Sequence, residues 1–228
     1  MATNEFKQAA LKRREREKLK RRNDIIDAAE KRFFKKDFDG VSMDDISHDL
    51  ELSKPAIYRY FKNKESLFYA VVTRGMVILR DTLKEAVEKE NTGMDKTSGY
   101  LEGLCFKYIR NYREYYKLLV VARESRFVDK FLRNEIEGAH EFGLLALELL
   151  NLLVDAITLG IKDGTARDDL DPLQTAIFLV VTAEASINLT PVYENLVTRK
   201  HIGREEYLRH SIDLMLQGIA SNKLRKYS

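Results

Sequence analysis

Ser53-Lys54-Pro55-Ala56-Ile57-Tyr58-Arg59-Tyr60-Phe61 reads as a short helix. Ser53 offers an N-cap, and Pro55 stands in the first turn, where its missing N–H costs little. Ile57 and Phe61, four residues apart, place two apolar side chains on one face. Only Glu51-Leu52 separates this stretch from an earlier short helix, capped by Ser42, that buries Ile46 and Leu50. Asp44 and Asp45 fall in its first turn, where the helix dipole favours anions. Further upstream, Ile26, Ala29 and Phe33 recur at helical spacing, flanked by Ile25 and Phe34. They predict a helix of about four turns from Arg22 to the Asp37-Phe38-Asp39-Gly40 segment, with Gly40 closing it in a left-handed conformation. Downstream, Asn63 caps a longer helix with Leu67, Val71, Ile78 and Leu83 on its apolar side. Three short helices with a two-residue turn between the second and third form a helix-turn-helix. Its core would be Ile26, Phe33, Phe38, Val41, Ile46, Leu50, Leu52, Ile57, Phe61 and Leu67.

The rest of the chain points to an all-α fold. Three prolines and little strand-like alternation accompany 44% hydrophobic and 33% charged residues in 228. Asn91-Thr92-Gly93 and Thr97-Ser98-Gly99 read as a loop. Residues 100–124 suggest one or two aromatic-rich helices, and residues 128–162 one long helix, apolar on almost every side in its second half. Gly164 and Asp171-Pro172 end that helix and start another over 173–190, and a last helix covers 204–221. The expected organisation is a basic arm over 1–21, the helix-turn-helix over 22–72, and a larger helical-bundle domain for effector binding and dimerisation over 73–228. No membrane span is expected, because Glu148, Asn151 and Asp155 interrupt one apolar stretch and Glu184 the other. The basic N-terminus has no apolar stretch behind it, which excludes a secretory signal. A single cysteine, Cys105, excludes a disulfide framework and suits a cytoplasmic location.

Charge is unevenly placed. The first 74 residues hold 18 basic and 13 acidic side chains, whereas the remainder is slightly acidic. Nine basic residues fall between Lys7 and Arg22 against Glu15 and Glu17. Such a run suits a nucleic-acid contact, and equally a solvated charged helix or tail. In a helix-turn-helix the third helix enters the major groove. The candidates for touching DNA are therefore Ser53, Lys54, Pro55, Ala56, Tyr58, Arg59 and Tyr60. Ser42 and Lys64 join them at neighbouring helix starts, and Arg21 and Arg22 from the arm. Arg59 suits guanine or a phosphate, Pro55 or Ala56 a thymine methyl, and the two tyrosines phosphate oxygens. Tyr60 is alternatively a core wedge, and Lys64 and Ser42 are alternatively helix-terminal residues alone.

Residues 22–72 closely resemble the N-terminal DNA-binding domain of the TetR family of regulators. The resemblance is carried by Ile26, Ala29, Phe33, Phe38, Gly40, Val41, Ser42, Asp45-Ile46, Leu52-Ser53-Lys54, Ile57-Tyr58-Arg59-Tyr60-Phe61 and Lys64-Glu65-Ser66-Leu67-Phe68. It implies a homodimer of all-helical subunits on a palindromic operator in double-stranded DNA. Residues matching Tyr58, Tyr60 and Lys64 would touch the backbone, and the last two helices would pair with their symmetry mates. Two positions depart from the family pattern. Leu50-Glu51 replaces the usual Ala-Gly, which puts a side chain where a positive φ is needed, and Asp37 stands where Gly is frequent. The basic N-terminal extension, longer than in many members, suits the minor groove or phosphates.

For the larger domain, Ala176, Val180, Ile187, Leu208, Ile212, Met215 and Ile219 are the expected dimer interface. An effector pocket is expected among Phe106, Tyr108, Ile109, Tyr112, Tyr116, Phe127, Phe131 and Phe142, with Glu184 and Asn188 as polar partners. An aromatic stripe at helical spacing is equally a plain core. These features predict a repressor released from its operator by a small apolar or aromatic effector. A DNA-binding or architectural protein with no effector is the alternative. An enzyme is not expected: the four histidines show no metal-ligand spacing and no phosphate loop or nucleophile motif is present. No catalytic residue, metal or cofactor is assigned.

Overall fold

The computed structural model describes residues 2–133 and 135–221, with side chains from residue 7 onward. Every regular element among them is helical. Helix α1 (Ala2–Lys35) leads to α2 (Met43–Asp49), α3 (Lys54–Tyr58) and α4 (Lys64–Glu88). Then follow α5 (Gly93–Glu102), a π-helical segment (Gly103–Tyr108), α6 (Ile109–Asn111), α7 (Arg113–Ala122) and α8 (Ser125–Leu132). Helices α9 (Ala139–Asp163), α10 (Pro172–Ile187), α11 (Pro191–Arg199) and α12 (Arg204–Ile219) complete the order. The chain divides into two compact units: residues 1–75 with 117–142, and residues 76–116 with 143–228.

The first unit contains the three-helix array anticipated from the apolar spacing. Ile26, Phe33, Phe38, Val41, Ile46, Ile57, Phe61 and Leu67 are all buried, and Leu50 and Leu52 half-buried. Arg32 ties α1 to α2 by donating two hydrogen bonds to the Asp49 carboxylate, each 2.6 Å. Arg74 of α4 reaches back to Asp27 and Glu30 of α1. Three local expectations change. Helix α1 does not start at Arg22 but runs unbroken from Ala2, so the basic arm is helical. It ends at Lys35, and Gly40 has no positive φ. Instead the Asp37 side chain accepts the Gly40 N–H at 2.9 Å and closes the loop itself.

Residues 117–142 add an aromatic layer to this unit. Phe127 lies 4.9 Å from Phe38 and 5.5 Å from Phe68 by ring centroids, edge-on to the first and stacked on the second. Phe131 and Phe142 pack on Tyr69, whose hydroxyl donates to the Ala122 carbonyl at 2.9 Å. Burial pushes the Tyr69 phenol up to about 12. The long helix read over 128–162 is thus two helices. The break falls between Leu132 and Ala139, and Gly138 at φ +85° begins the turn into α9.

The second unit forms by close backbone approach as well as by apolar burial. The expected loop over 91–99 is a helix start: Thr92 caps α5 by accepting the Asp95 N–H. Gly99 lies within α5, where an added Cβ would stand 3.0 Å from the Ala86 carbonyl of α4. Small size at the helix contact, rather than turn formation, accounts for that glycine. Gly93 N–H donates to Asp163, and Met94 N–H to Thr165, at the end of α9. Gly164 (φ +78°) terminates α9, and Asp171 with Pro172 starts α10, as the sequence indicates. Helix α11 has no counterpart among the expected elements. Helix α9 is long and apolar enough to span a membrane by length and mean hydropathy (2.0 over 18 residues), despite the interrupting residues. Its Glu148 is ion-paired with Lys84 at 2.5 Å, while Leu145, Leu149, Leu153, Ala156 and Ile157 are buried.

Candidate nucleic-acid interface

The turn that aims α3 is built residue by residue. Ser42 accepts the Asp45 N–H at 3.1 Å, and Asp45 in turn accepts the Ser42 N–H at 3.0 Å, closing a capping box. Hydrogen bonding to Ser42, first through its hydroxyl, holds the Asp45 carboxyl below its usual value. Helix α2 ends in a Schellman arrangement: Leu52 N–H reaches the Ser47 carbonyl (2.9 Å) and Glu51 N–H the His48 carbonyl (3.1 Å). Glu51 occupies the left-handed position at φ +52°. The departure seen in the sequence therefore leaves the turn's geometry intact and places its strain on one side chain.

Helix α3 follows, with Pro55 in its first turn; Ser53 stands at the N-cap without a side-chain bond. Ile57 and Phe61 point inward with 0% and 1% exposure. Ser53, Lys54, Pro55, Tyr58 and Arg59 are exposed, and Ala56 and Tyr60 half-buried. The outward face of the helix therefore carries the predicted group. Several of its polar members already have partners. Lys54 is paired with Asp44 at 2.9 Å, and the Ser42 hydroxyl donates to Asp45 at 2.7 Å. The Lys64 ammonium donates to the carbonyls of Phe38 (2.9 Å) and Val41 (3.0 Å), fastening the loop between α1 and α2. Two of its three protons are engaged there. Arg22 stacks over the Phe61 ring at 4.9 Å, whereas Arg21 is exposed.

A groove of about 510 Å³ opens beside Tyr60, lined by Arg14, Glu17, Lys18, Lys20, Arg21 and Asp24 of α1. The expected site does not join most of these residues to Tyr60. Their helical spacing does so once the arm is read as a continuation of α1. The packing of α8 is absent from the expected site for a similar reason, although Phe127 and Phe131 share a face beside Arg126 and Lys130. Arg126 pairs with Asp39 at 2.8 Å and Lys130 with Glu65 at 2.6 Å.

The residues expected to line an effector pocket are divided between the two units. Phe127, Phe131 and Phe142 belong to the aromatic layer of the first unit. Phe106, Tyr108, Ile109, Tyr112, Tyr116, Glu184 and Asn188 belong to the second. There Tyr108 is wholly buried against Tyr112, and Asn188 donates to the Tyr116 hydroxyl. Phe106 lies under the Arg209 guanidinium, 4.7 Å from its ring centroid. Most of the residues expected at the dimer interface are covered within the subunit. Ala176, Ile187, Leu208, Ile212, Met215 and Ile219 are buried within the subunit, and Val180 is half-buried. The stripe is apolar, as expected, but faces inward. The exposed apolar side chains of α10 are Leu173, Ile177, Phe178 and Val181, with Leu214 on α12. Between the two helices lies a groove of about 730 Å³ lined by Phe178, Thr182, Ser186, Ser211, Leu214 and Gly218 among others.

A capped helix, a tight turn and a short helix with an exposed Tyr-Arg face define a helix-turn-helix DNA-binding protein. Residues 25–71 match the family model described as bacterial regulatory proteins, tetR family. Over those residues the chain is similar to the DNA-binding regulators of the TetR family. Solved structures share its fold at low identity. A TetR-family regulatory protein from Rhodococcus RHA1 is 14% identical, covering 88% of this chain and 97% of its own, with a TM-score of 0.64. A TetR/AcrR-family regulator from Thermobifida fusca is 20% identical, covering 87% and 98%, with a TM-score of 0.62. FadR from Bacillus subtilis, solved with stearoyl-CoA, is 18% identical, covering 86% and 98%, with a TM-score of 0.61. No curated protein matches the chain.

Proposed function

We propose that the chain is a cytoplasmic homodimeric repressor that holds a palindromic operator through two copies of α3 and releases it when a small apolar or aromatic effector binds. The observation that carries the dimer is the exposed apolar stripe Leu173, Ile177, Phe178 and Val181, beside the groove between α10 and α12. A patch of this kind is costly in water and is relieved by burial against a second copy. Two recognition helices related by a two-fold axis would then enter successive major grooves about 34–36 Å apart. Arg59 is the residue assigned to base reading. Tyr58 and Ser53 position the helix on phosphate, and Lys54 reaches phosphate by giving up Asp44.

Supporting the effector are aromatic side chains of the second unit, where Tyr108 packs on Tyr112 and Asn188 donates to the Tyr116 hydroxyl. A fold relative was solved with an acyl-CoA. An effector can shift the protein from its DNA-bound conformation only by binding the other conformation more tightly. The test is selection of bound fragments from random duplex DNA, followed by titration of the bound operator with fatty acyl-CoA and aromatic compounds. A two-fold palindrome and release by one compound class support the reading. Fragments without two half-sites would overturn the dimeric operator. A palindrome that no compound releases would leave a regulator without such an effector.

A further inference from the structure

From Lys7 to Arg21 every side chain of α1 is exposed, including Leu11 and Leu19 at 57% and 59%. A helix without a buried face has no tertiary packing to hold it, and local interactions must do so. Here those are unfavourable. Lys12 and Arg16, Arg14 and Lys18, Arg16 and Lys20, and Lys18 and Arg22 are like charges four residues apart, which repel. Among the described side chains of this stretch, the ion pair of Arg13 with Glu17, at 2.8 Å, offsets them. The structure therefore carries a rod of positive charge that stabilises nothing within the unit. At about 1.5 Å per residue, Arg14 to Arg21 spans roughly 10 Å.

That span is the wall of the groove beside Tyr60. Arg14, Lys18, Lys20 and Arg21 line it, and among the described residues none of the four has an ion-pair partner. Glu17 and Asp24 also line it, and Glu17 is already neutralised by Arg13. Tyr60 also lines it and stands two residues beyond the exposed Tyr58 of α3. A polyanion seated in the groove would remain in register with the duplex that α3 enters. Along one DNA strand phosphates recur at about 3.4 Å of helix axis, so roughly 10 Å of wall faces about three of them.

We propose that the groove between the N-terminal extension of α1 and Tyr60 is a second DNA contact, seating the sugar-phosphate strand beside the site read by α3. The extension acts as a stiff helical clamp on the backbone, not as a flexible arm threading the minor groove. Bound phosphates screen the four-apart repulsions, so the helix from Lys7 to Arg21 becomes more stable on DNA than off it. This inference rests on the operator-binding reading above.

The test compares two full-length variants of equal charge on the selected operator. Arg14→Gln with Lys18→Gln strips the groove wall. Lys12→Gln with Arg16→Gln strips another face of the same turns. Each removes two of the four repulsive pairs, so their effects on the free helix match. Binding is measured over a salt series at fixed pH. The groove variant should lose about 0.9 of log–log slope per phosphate contact removed, roughly 1.8 per subunit. The control should lose less than half of that. Hydrogen exchange over residues 7–21 should slow at least about fivefold on DNA in the parent chain and much less in the groove variant. Equal slope losses in the two variants would overturn the seat in favour of a diffuse field, and an unchanged slope in the groove variant would overturn it outright. Failure of the parent chain to select any palindrome would instead remove the operator reading, a distinguishable result.

Discussion

Lys64 holds its ammonium 4.0 Å over the ring of Phe38 and donates at 2.9 Å to the carbonyl oxygen of the same residue. Phe38 in turn meets Phe33, Phe68 and Phe127. The lysine thus locks a short loop onto the aromatic core of the DNA-binding unit.

Substituting Lys64→Met should lower the unfolding free energy in urea by about 1.5–3 kcal/mol, the range for hydrogen bonds to a charged donor. The salt slope of DNA binding should barely move. Unchanged stability with a slope reduced by about 0.9 would return the residue to a phosphate contact.

Glu51→Gly should raise stability by roughly 0.5–1 kcal/mol. Glycine adopts φ +52° without the Cβ clash that glutamate tolerates, and the gain is reduced by the greater freedom of the unfolded chain. Operator affinity should be retained. A loss of stability would mean that the Glu51 side chain makes up for its own strain.

Gly93→Ala should be severe. A Cβ there would fall 1.9 Å from the Gly160 nitrogen and 2.2 Å from its Cα, so backbone must move. Overpacking against side chains costs about 1–3 kcal/mol, and immovable backbone puts this case at or above the upper end. A thermal midpoint within about 2 °C of the parent, by the conversion for a chain of this size, would contradict the close approach.

Asp45 and Asp49 are both held below the ordinary carboxylate value of 3.8, Asp45 first by the Ser42 hydroxyl and Asp49 first by Arg32. A carboxyl depressed by folding contributes stability that is complete above its unfolded value and disappears as pH falls through the lower folded value. Unfolding of the first unit should therefore become easier as pH drops below about 4, with little change closer to neutrality. Asp49→Asn should flatten that acid limb in urea titrations at successive pH values.

Phe178→Glu should convert a dimer to monomers in sedimentation and weaken operator binding by at least about tenfold. Met215→Glu, buried within the subunit, should instead unfold the second unit. Dimers of the Phe178→Glu chain that survive at micromolar concentration would move the interface away from α10.

The DNA-binding unit was legible because local rules and packing agree there. Ile57 and Phe61 are spaced for a helix and do face inward, and Ser42 and Asn63 cap the helices expected of them. Where one rule had two readings, the sequence left the matter open. Glycine at 93 and 99 marks close backbone contact as well as turns, and only packing shows which. The apolar stripe of α12 is the same for a core and for an interface; burial of Ile212 and Met215 assigns it to the core. Phe127, Phe131 and Phe142 are aromatic in either role, and their partners Phe38, Phe68 and Tyr69 lie far away along the chain. Spacing within one helix carries no record of such distant contacts.

The π-helical turn at Gly103–Tyr108 has a consequence for how this chain tolerates insertion and deletion. It accommodates one residue more than an α-helix of the same rise, so the α6 turn that follows is rotated by about a quarter-turn relative to α5. Removing a single residue there would restore regular winding and swing Tyr112 off its present face, while removing one from the exposed stretch ahead of Arg22 would turn only solvated side chains. The same edit, one codon long, is thus neutral for folding ahead of Arg22 and a rewiring of the Tyr108–Tyr112 packing at Gly103–Tyr108.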